Sequence, residues 1–280
     1  MQADLNALRI IAHLSDLHFG HVDPAIPPVL RAALLDIGPD LLVVSGDLTQ
    51  RARREQFWQA RHFLDSLPFP RVVVPGNHDV PLYNVLARWL RPLEKYKTII
   101  SADLEPVYAD EEIVALGINT ARALTFKNGR INRRQVDQLH ERLAATGPGA
   151  RVRIVVAHHP FILPEGADPR DLIGRAKMGL SAFAEAEVDL ILSGHLHVGR
   201  TVVEATADGA AGPSLLLIQA GTATSTRLRD DMNSFNVLRI AHPELAIERL
   251  SWDDARAAFA ASSLERYQRV SNAWQRVDHA

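Results

Sequence analysis

The chain is predicted to fold as an α/β protein in which two mixed β-sheets are flanked by helices. Three observations predict it. Short apolar, β-rich runs alternate with amphipathic stretches through the first two thirds. The later part reads as a meander of strands. Polar clusters of Asp, Asn, His and Gly follow five of the apolar runs at their C-terminal ends.

Leu8–Leu14 reads as a buried strand, and Val29–Ile37 as a helix stopped by Gly38-Pro39. Leu41–Ser45 is a second strand, Arg53–Ser66 an amphipathic helix, and Arg71–Val74 a third strand. Strand, helix, strand, helix, strand implies parallel pairing through crossover helices. Glu112–Ile118 and Arg151–Ala157 add strands around a helix at Asn132–Ala145. A Pro- and Gly-rich loop at Pro160–Asp171 leads to a helix near Leu172–Ala186 and a strand at Val188–Leu192. Val202–Glu204, Ser214–Gln219, Phe235–Ile240 and Leu245–Leu250 form the meander, expected to complete the second sheet. A helix over about Asp253–Gln275 is expected to close the chain. No repeat or long linker divides the sequence, so residues 1–280 read as a single domain with core motifs over 8–200.

Composition narrows the function. The 280 residues hold no cysteine, which excludes disulfide scaffolds, thiolate metal sites and cysteine nucleophiles. A formal net charge of −2 argues against a broad nucleic-acid footprint. Four of the basic residues are lysine and 27 are arginine, a bias that suits anion contacts but follows more simply from base composition. Met1–Ile11 lacks the apolar core of a signal peptide, and no run reaches the ~18 apolar residues of a membrane span. A soluble, cytoplasmic protein without membrane insertion is expected.

The five polar clusters are Ser15-Asp16-Leu17-His18, Gly46-Asp47, Pro75-Gly76-Asn77-His78-Asp79, His158-His159-Pro160 and Ser193-Gly194-His195-Leu196-His197. Ligands of open α/β sheets bind at the carboxyl ends of strands. In extended backbone residues i and i+2 face the same way, so Asp16 with His18, and His195 with His197, can each grip one ion. Carboxylate, amide and imidazole donors without sulfur suit Mn, Fe or Zn.

These motifs, in this order, resemble those of the calcineurin-like metallophosphoesterase superfamily, over Asp16 to His197. The resemblance implies a four-layer αββα sandwich with two divalent metal ions at the strand ends. It implies a first ion on Asp16, His18, Asp47 and His197, and a second on Asp47, Asn77, His158 and His195, with Asp47 bridging. His78 would face the phosphate and protonate the leaving oxygen, oriented by Asp79. Two divalent ions outweigh the Asp16 and Asp47 carboxylates, so the centre attracts a phosphodiester anion and predicts direct attack by a bridging hydroxide. The motifs look most like bacterial phosphodiesterases, including the class III cyclic nucleotide group. Leu48-Thr49-Gln50-Arg51 lacks the Val-Asp-Arg-Gly continuation of protein phosphatases, and Asp79 follows where those have Glu.

The expected function is hydrolysis of a small organic phosphodiester, such as a cyclic nucleotide. A phosphomonoesterase or a nucleotide-lipid pyrophosphate hydrolase is the alternative on the same centre, ahead of a nuclease or a non-catalytic scaffold. A scaffold would have eroded ligands or a replaced His78, and all are present. Other histidines read as structural: His13 inside a strand, His62 and His140 on amphipathic helices, His21 and His242 in loops. His21 is near enough to the first motif to be weighed for substrate contact, and His159 for lining the pocket. Arg51, Arg53 and Arg54 read as a solvated helix start or as phosphate contacts. Asn119 reads as a strand-end turn, ahead of a place bordering the site, and Asp189 as structural. Gly221–Arg229 reads as a sheet connection, or as a support for the site through Arg227 or Arg229. Pro160–Asp171 is placed to act as a lid.

Overall fold

The computed structural model describes residues 8–82, 85–123, 127–146, 152–205, 214–226 and 232–277. Strands β1 (Arg9–Leu14), β2 (Leu41–Val44) and β3 (Arg71–Val73) pair in parallel, joined by helices α1 (Ile26–Ile37) and α2 (Arg54–Asp65). Helices α3 (Val85–Leu90) and α4 (Glu94–Ile99) and strand β4 (Val107–Ala109) follow. Strands β5 (Ile113–Ile118), β6 (Val152–Ala157) and β7 (Leu190–Ser193) pair in parallel and alternate with α5 (Arg133–Ala145) and α6 (Ala176–Glu185). Strands β8 (Arg200–Ala205), β9 (Ser214–Gln219), β10 (Ser234–Ala241), β11 (Glu244–Asp253), β12 (Ala258–Val270) and β13 (Ala273–Arg276) complete the chain.

Two mixed sheets result, one ordered β13-β12-β11-β10-β1-β2-β3 and the other β4-β5-β6-β7-β9-β8. The period-two alternation of each strand builds the layers. Ile11, Leu41 and Val43 point between the sheets, against Ile154, Val156 and Leu190. Ala12, Leu14, Leu42 and Val44 point the other way, against Leu30 and Leu34 of α1, Phe57 of α2 and Tyr96 of α4. Beyond the second sheet, Val155 and Ile191 meet Leu139 and Leu143 of α5 and Phe183 of α6. Helix, sheet, sheet, helix is the predicted four-layer order. Each fully buried Leu, Ile or Phe in these layers contributes about 1.5–3 kcal/mol. No helix among the described residues is long and apolar enough to cross a membrane.

Two expectations are corrected. Only β8 and β9 complete the second sheet; β10 to β13 extend the first, with β10 antiparallel to β1. The closing helix over Asp253–Gln275 is instead the end of β11, all of β12 and most of β13. Ala, Leu, Glu, Arg and Gln favour a helix by propensity, but cross-strand burial overrides it. Phe259 packs edge-on against Trp252 and Phe235, with ring centroids 5.5 and 5.1 Å apart, while Tyr267 and Trp274 are buried between the sheets. The turn between β12 and β13 holds Ser271 and Asn272 at φ 50° and 66°, the paired left-handed residues of a tight hairpin. The residues between Val74 and Glu112, read as neither helix nor strand, supply α3, α4 and β4.

Candidate metal centre

The strand ends bring the predicted ligands together from both sheets. Asp16 and His18 follow β1, Asp47 follows β2 and Asn77 follows β3, while His158 follows β6 and His195 and His197 follow β7. Five of them have left-handed backbone, with φ 52° at Asp16, 48° at His18, 54° at Asp47, 76° at His195 and 63° at His197. Non-glycine residues there cost on the order of 1 kcal/mol each, and persist only where surrounding structure holds them.

The surrounding structure is a mesh of backbone bonds. Asp16 N–H donates to the Gly46 carbonyl at 3.0 Å and His18 N–H to the Asp47 carbonyl at 2.9 Å, so the first two loops zip together. Ser15 Oγ and the backbone N–H of His195 both donate to Asp16 Oδ2, at 2.6 and 3.0 Å. That bond joins the two sheets and demands glycine at 194, where a Cβ would lie 1.8 Å from Ser15 Oγ. Thr222 and Thr224 donate their hydroxyls to the carbonyls of Asp16 and Leu17. The hydroxyl-rich segment read as a sheet connection therefore braces the first ligand loop; Arg227 and Arg229 lie outside the described residues.

Two donor clusters result. In the first, Asp16 Oδ1 lies 3.5 Å from His18 Nε2 and 3.3 Å from His197 Nε2, and the two imidazole nitrogens are 3.2 Å apart. In the second, His158 Nε2 and His195 Nδ1 are 3.2 Å apart, at 3.1 and 3.0 Å from Asn77 Oδ1. Asp47 Oδ2 lies between, 3.9 Å from His18 Nε2 and 3.4 Å from His158 Nε2.

These arrangements fit cations rather than an internal hydrogen-bond network. Asp16 Oδ1 is buried without a hydrogen-bond donor among the described residues, against the usual satisfaction of buried polar atoms. His158 Nδ1 donates to the Ser45 carbonyl at 2.8 Å, so in the neutral ring Nε2 turns a lone pair toward Asn77 and His195. Burial opposes ionisation of Asp16 and Asp47, yet the surrounding imidazoles outweigh it and hold both well below the usual carboxylate range. Burial likewise opposes a proton on His158, but Asp47 beside it lifts that group to about 9.

His78 is a different kind of residue. It is half-buried, like Asn77 beside it, whereas the Asp and His residues of the two clusters are buried. Its Nδ1 donates to the Gln50 carbonyl at 2.9 Å, and its ring meets His18 edge-on with centroids 4.8 Å apart. The expected pairing of Asp79 with this ring is corrected. The Asp79 carboxylate accepts from the backbone N–H groups of Gly76, Leu48 and Thr49 at 3.0, 3.2 and 2.9 Å, and from the Thr49 hydroxyl. A carboxylate satisfies the donors of two ligand loops better than one imidazole, so Asp79 ties the Asp47 loop to the Asn77 loop.

The remaining polar residues sort by their partners. His159 is buried with both nitrogens engaged, Nδ1 on Thr120 Oγ1 at 2.8 Å and Nε2 on the Lys127 carbonyl at 3.0 Å, which leaves His158 as the donor to the centre. His13 is buried against Ser45 Oγ, and burial pushes it down to about 3, so it stays neutral. His21 contacts Thr226. Asn119 caps its own strand-end turn through Ala121 N–H, and Asp189 accepts from Arg153 N–H at 2.7 Å. Arg53 and Arg54 are exposed at the start of α2, and Arg51 is half-buried. Sequence reasoning missed Asp171, which lies 3.3 Å from His195 Nε2 and is ion-paired with Lys127. Its position as the last residue of the Pro160–Asp171 loop was the available signal.

The profile of the calcineurin-like phosphoesterase family matches residues 10–199. A probable cyclic nucleotide phosphodiesterase of Synechococcus sp. is 31% identical over 206 residues, spanning 67% of this chain and 72% of that protein. The glycerophosphodiester phosphodiesterase GpdQ of Enterobacter lignolyticus is 33% identical over 101 residues, 30% of this chain and 34% of that protein. A dimetal phosphatase from Danio rerio shares the fold, with a TM-score of 0.64 at 14% identity over 90% of this chain and 98% of that one.

Proposed function

The chain belongs to the calcineurin-like phosphoesterase family, a family of metal-dependent phosphoric ester hydrolases, and on that premise we propose that it is a phosphodiesterase acting on a small organic phosphodiester of the cyclic-nucleotide kind at a centre of two divalent ions. One observation carries the reading: two clusters of imidazole and oxygen donors share a single carboxylate, Asp47, whose Oδ2 lies 3.9 Å from one cluster and 3.4 Å from the other. The Synechococcus and Enterobacter relatives are both named as phosphodiesterases, which supports the diester over the monoester.

Asp16, His18, Asp47 and His197 would hold one ion, and Asp47, Asn77, His158 and His195 the other; Mn, Fe or Zn suits the donor set. Ions held there supply Lewis acidity that activates water and neutralises phosphoryl charge. The chain's own residues do the rest. His78, half-buried and kept in place through Nδ1 by the Gln50 carbonyl, would when protonated deliver a proton to the departing oxygen. Asp79 keeps the Asp47 and Asn77 loops in register. The test is the protein loaded with Mn²⁺ on bis(p-nitrophenyl) phosphate against p-nitrophenyl phosphate. Faster diester turnover is expected, and faster monoester turnover overturns the substrate class.

A second reading, a pyrophosphate hydrolase on a nucleotide-linked lipid, is favoured by one feature. An apolar groove of about 340 Å³ beside Asp79 is lined by Ala52, Pro81, Leu86, Leu90 and Pro92, with Arg91 and Lys95 at it. Leu86, Trp89 and Leu90 of α3 are each about 70% exposed. Under this reading acylated nucleotide pyrophosphates outrun cyclic nucleotides, and Leu86→Glu removes only the acyl preference.

A further inference from the structure

The Pro160–Asp171 loop ends inside the centre. Asp168 accepts from the backbone N–H of Arg170 at 2.9 Å and closes the single helical turn Pro169–Asp171. That turn delivers Asp171, only 3% exposed, to the back of His195, with Oδ1 3.3 Å from Nε2. The opposite ring nitrogen, Nδ1, is the one 3.0 Å from Asn77 Oδ1. His195 thus has a carboxylate oxygen at ion-pair distance on one side, near enough to accept from Nε2 but outside hydrogen-bond alignment, and faces the second donor cluster with the other.

The neighbourhood of Asp171 is tied to a separate segment. Lys127 pairs with the same carboxylate oxygen. The Lys127 carbonyl accepts from His159, whose ring lies tilted against that of His195 with centroids 4.8 Å apart. Just past the loop, Gly174 N–H donates to the Gly129 carbonyl at 2.8 Å. Loop, Lys127 segment and His195 are therefore one connected unit.

We propose that Asp171 is the positioning residue of His195, and that through it the Pro160–Asp171 loop is coupled to occupancy of the second ion position. A carboxylate behind a ligating imidazole fixes which nitrogen faces the ion and makes that nitrogen a stronger donor. Asp171 does both for His195 from a loop, so holding the second ion holds the loop, and freeing the loop weakens the ion. The first position has no link to this loop among its described donors. The inference rests on the reading of His195 as a ligand.

The test titrates Mn²⁺ into the metal-free chain, wild type and Asp171→Asn, following single and spin-coupled manganese by electron paramagnetic resonance. Proteolysis within 160–171 is measured in parallel. In wild type a second, coupled ion binds and slows loop cleavage. In Asp171→Asn the first ion binds as in wild type, the second binds about 10- to 100-fold more weakly, and Mn²⁺ at wild-type saturating levels no longer slows cleavage. A variant that binds the coupled second ion with wild-type affinity overturns the proposal. A wild-type protein that never forms a coupled pair overturns instead the two-ion reading beneath it. Should Asp171→Asn not fold, Lys127→Gln retains the carboxylate and removes the cation beside it. It must keep the second ion at wild-type affinity or tighter, and a loss would overturn the assignment.

Discussion

The backbone N–H of His78 donates to Asp47 Oδ1 at 2.8 Å. The residue proposed to carry the proton is thus hung from the carboxylate that joins the two donor clusters, and disturbance of Asp47 is expected to reach both functions. Asp47→Ala is expected to abolish both bound ions and drop turnover to background. Elemental analysis of the purified variant alongside diester hydrolysis checks this, and retention of two ions refutes the bridging role.

His78→Ala separates the two functions. Because His78 is held by Gln50 and is not needed to complete either cluster, the variant is expected to keep its metal and lose about 10²- to 10⁴-fold in turnover. An activity within threefold of wild type on a diester with a poor leaving group would sink the proton-donor role. A leaving group that needs no proton should narrow the deficit.

Metal uptake should release protons. His158 without metal is lifted to about 9 by Asp47, against the opposing effect of burial, so at pH 7 it carries a proton that an ion must displace. Affinity is expected to rise with pH up to about 9, by up to tenfold per unit for the one proton. Calorimetric titration in buffers of different ionisation enthalpy measures the release. Binding heats that do not vary with buffer would contradict it.

His13 should give metal-free protein an acid-labile increment of stability. Folded, burial holds it at about 3; unfolded, it reverts to the ordinary imidazole value of about 6.5. Between these values the unfolded chain binds the extra proton, so stability present above 6.5 is lost as pH falls, by up to about 1.4 kcal/mol per pH unit. Asp79 and Asp189, both lifted by burial to about 6, lose stability in the opposite direction as pH rises, in wild type and variant alike. Urea unfolding at pH 7 and pH 5 should therefore show His13→Gln catching up with wild type on acidification. Parallel losses would refute the assignment.

Gly194→Ala should cost more than any loop substitution at the surface. The added methyl would sit 1.8 Å from Ser15 Oγ and 2.6 Å from Asp16 Oδ2, where both sheets meet. A loss of about 1–3 kcal/mol, typical of overpacking, is expected together with weakened metal binding. Denaturant unfolding with and without Mn²⁺ checks both effects.

Much of the centre was legible because its chemistry is local. Asp16 and His18, or His195 and His197, lie two residues apart after an apolar run, and donor type and strand end are visible in one short window. What was not legible depends on distant partners. Asp79 was read as the partner of its neighbour His78, but its carboxylate serves Leu48 and Thr49, some thirty residues earlier. Asp171 gains meaning only from His195. The segment from Ala258 to Val270 has the composition of a helix; Trp252, Phe235 and the inter-sheet core make it a strand.

The left-handed backbone at Asp16, His18, Asp47, His195 and His197 sets the terms on which this chain could ever lose its chemistry. At each of these positions glycine would relieve a torsional load that the native side chain bears. A lineage released from catalysis would therefore not drift neutrally at these sites. It would gain folding stability by shedding them, and Gly or Asn, residues at ease in this conformation, would be the first replacements to accumulate.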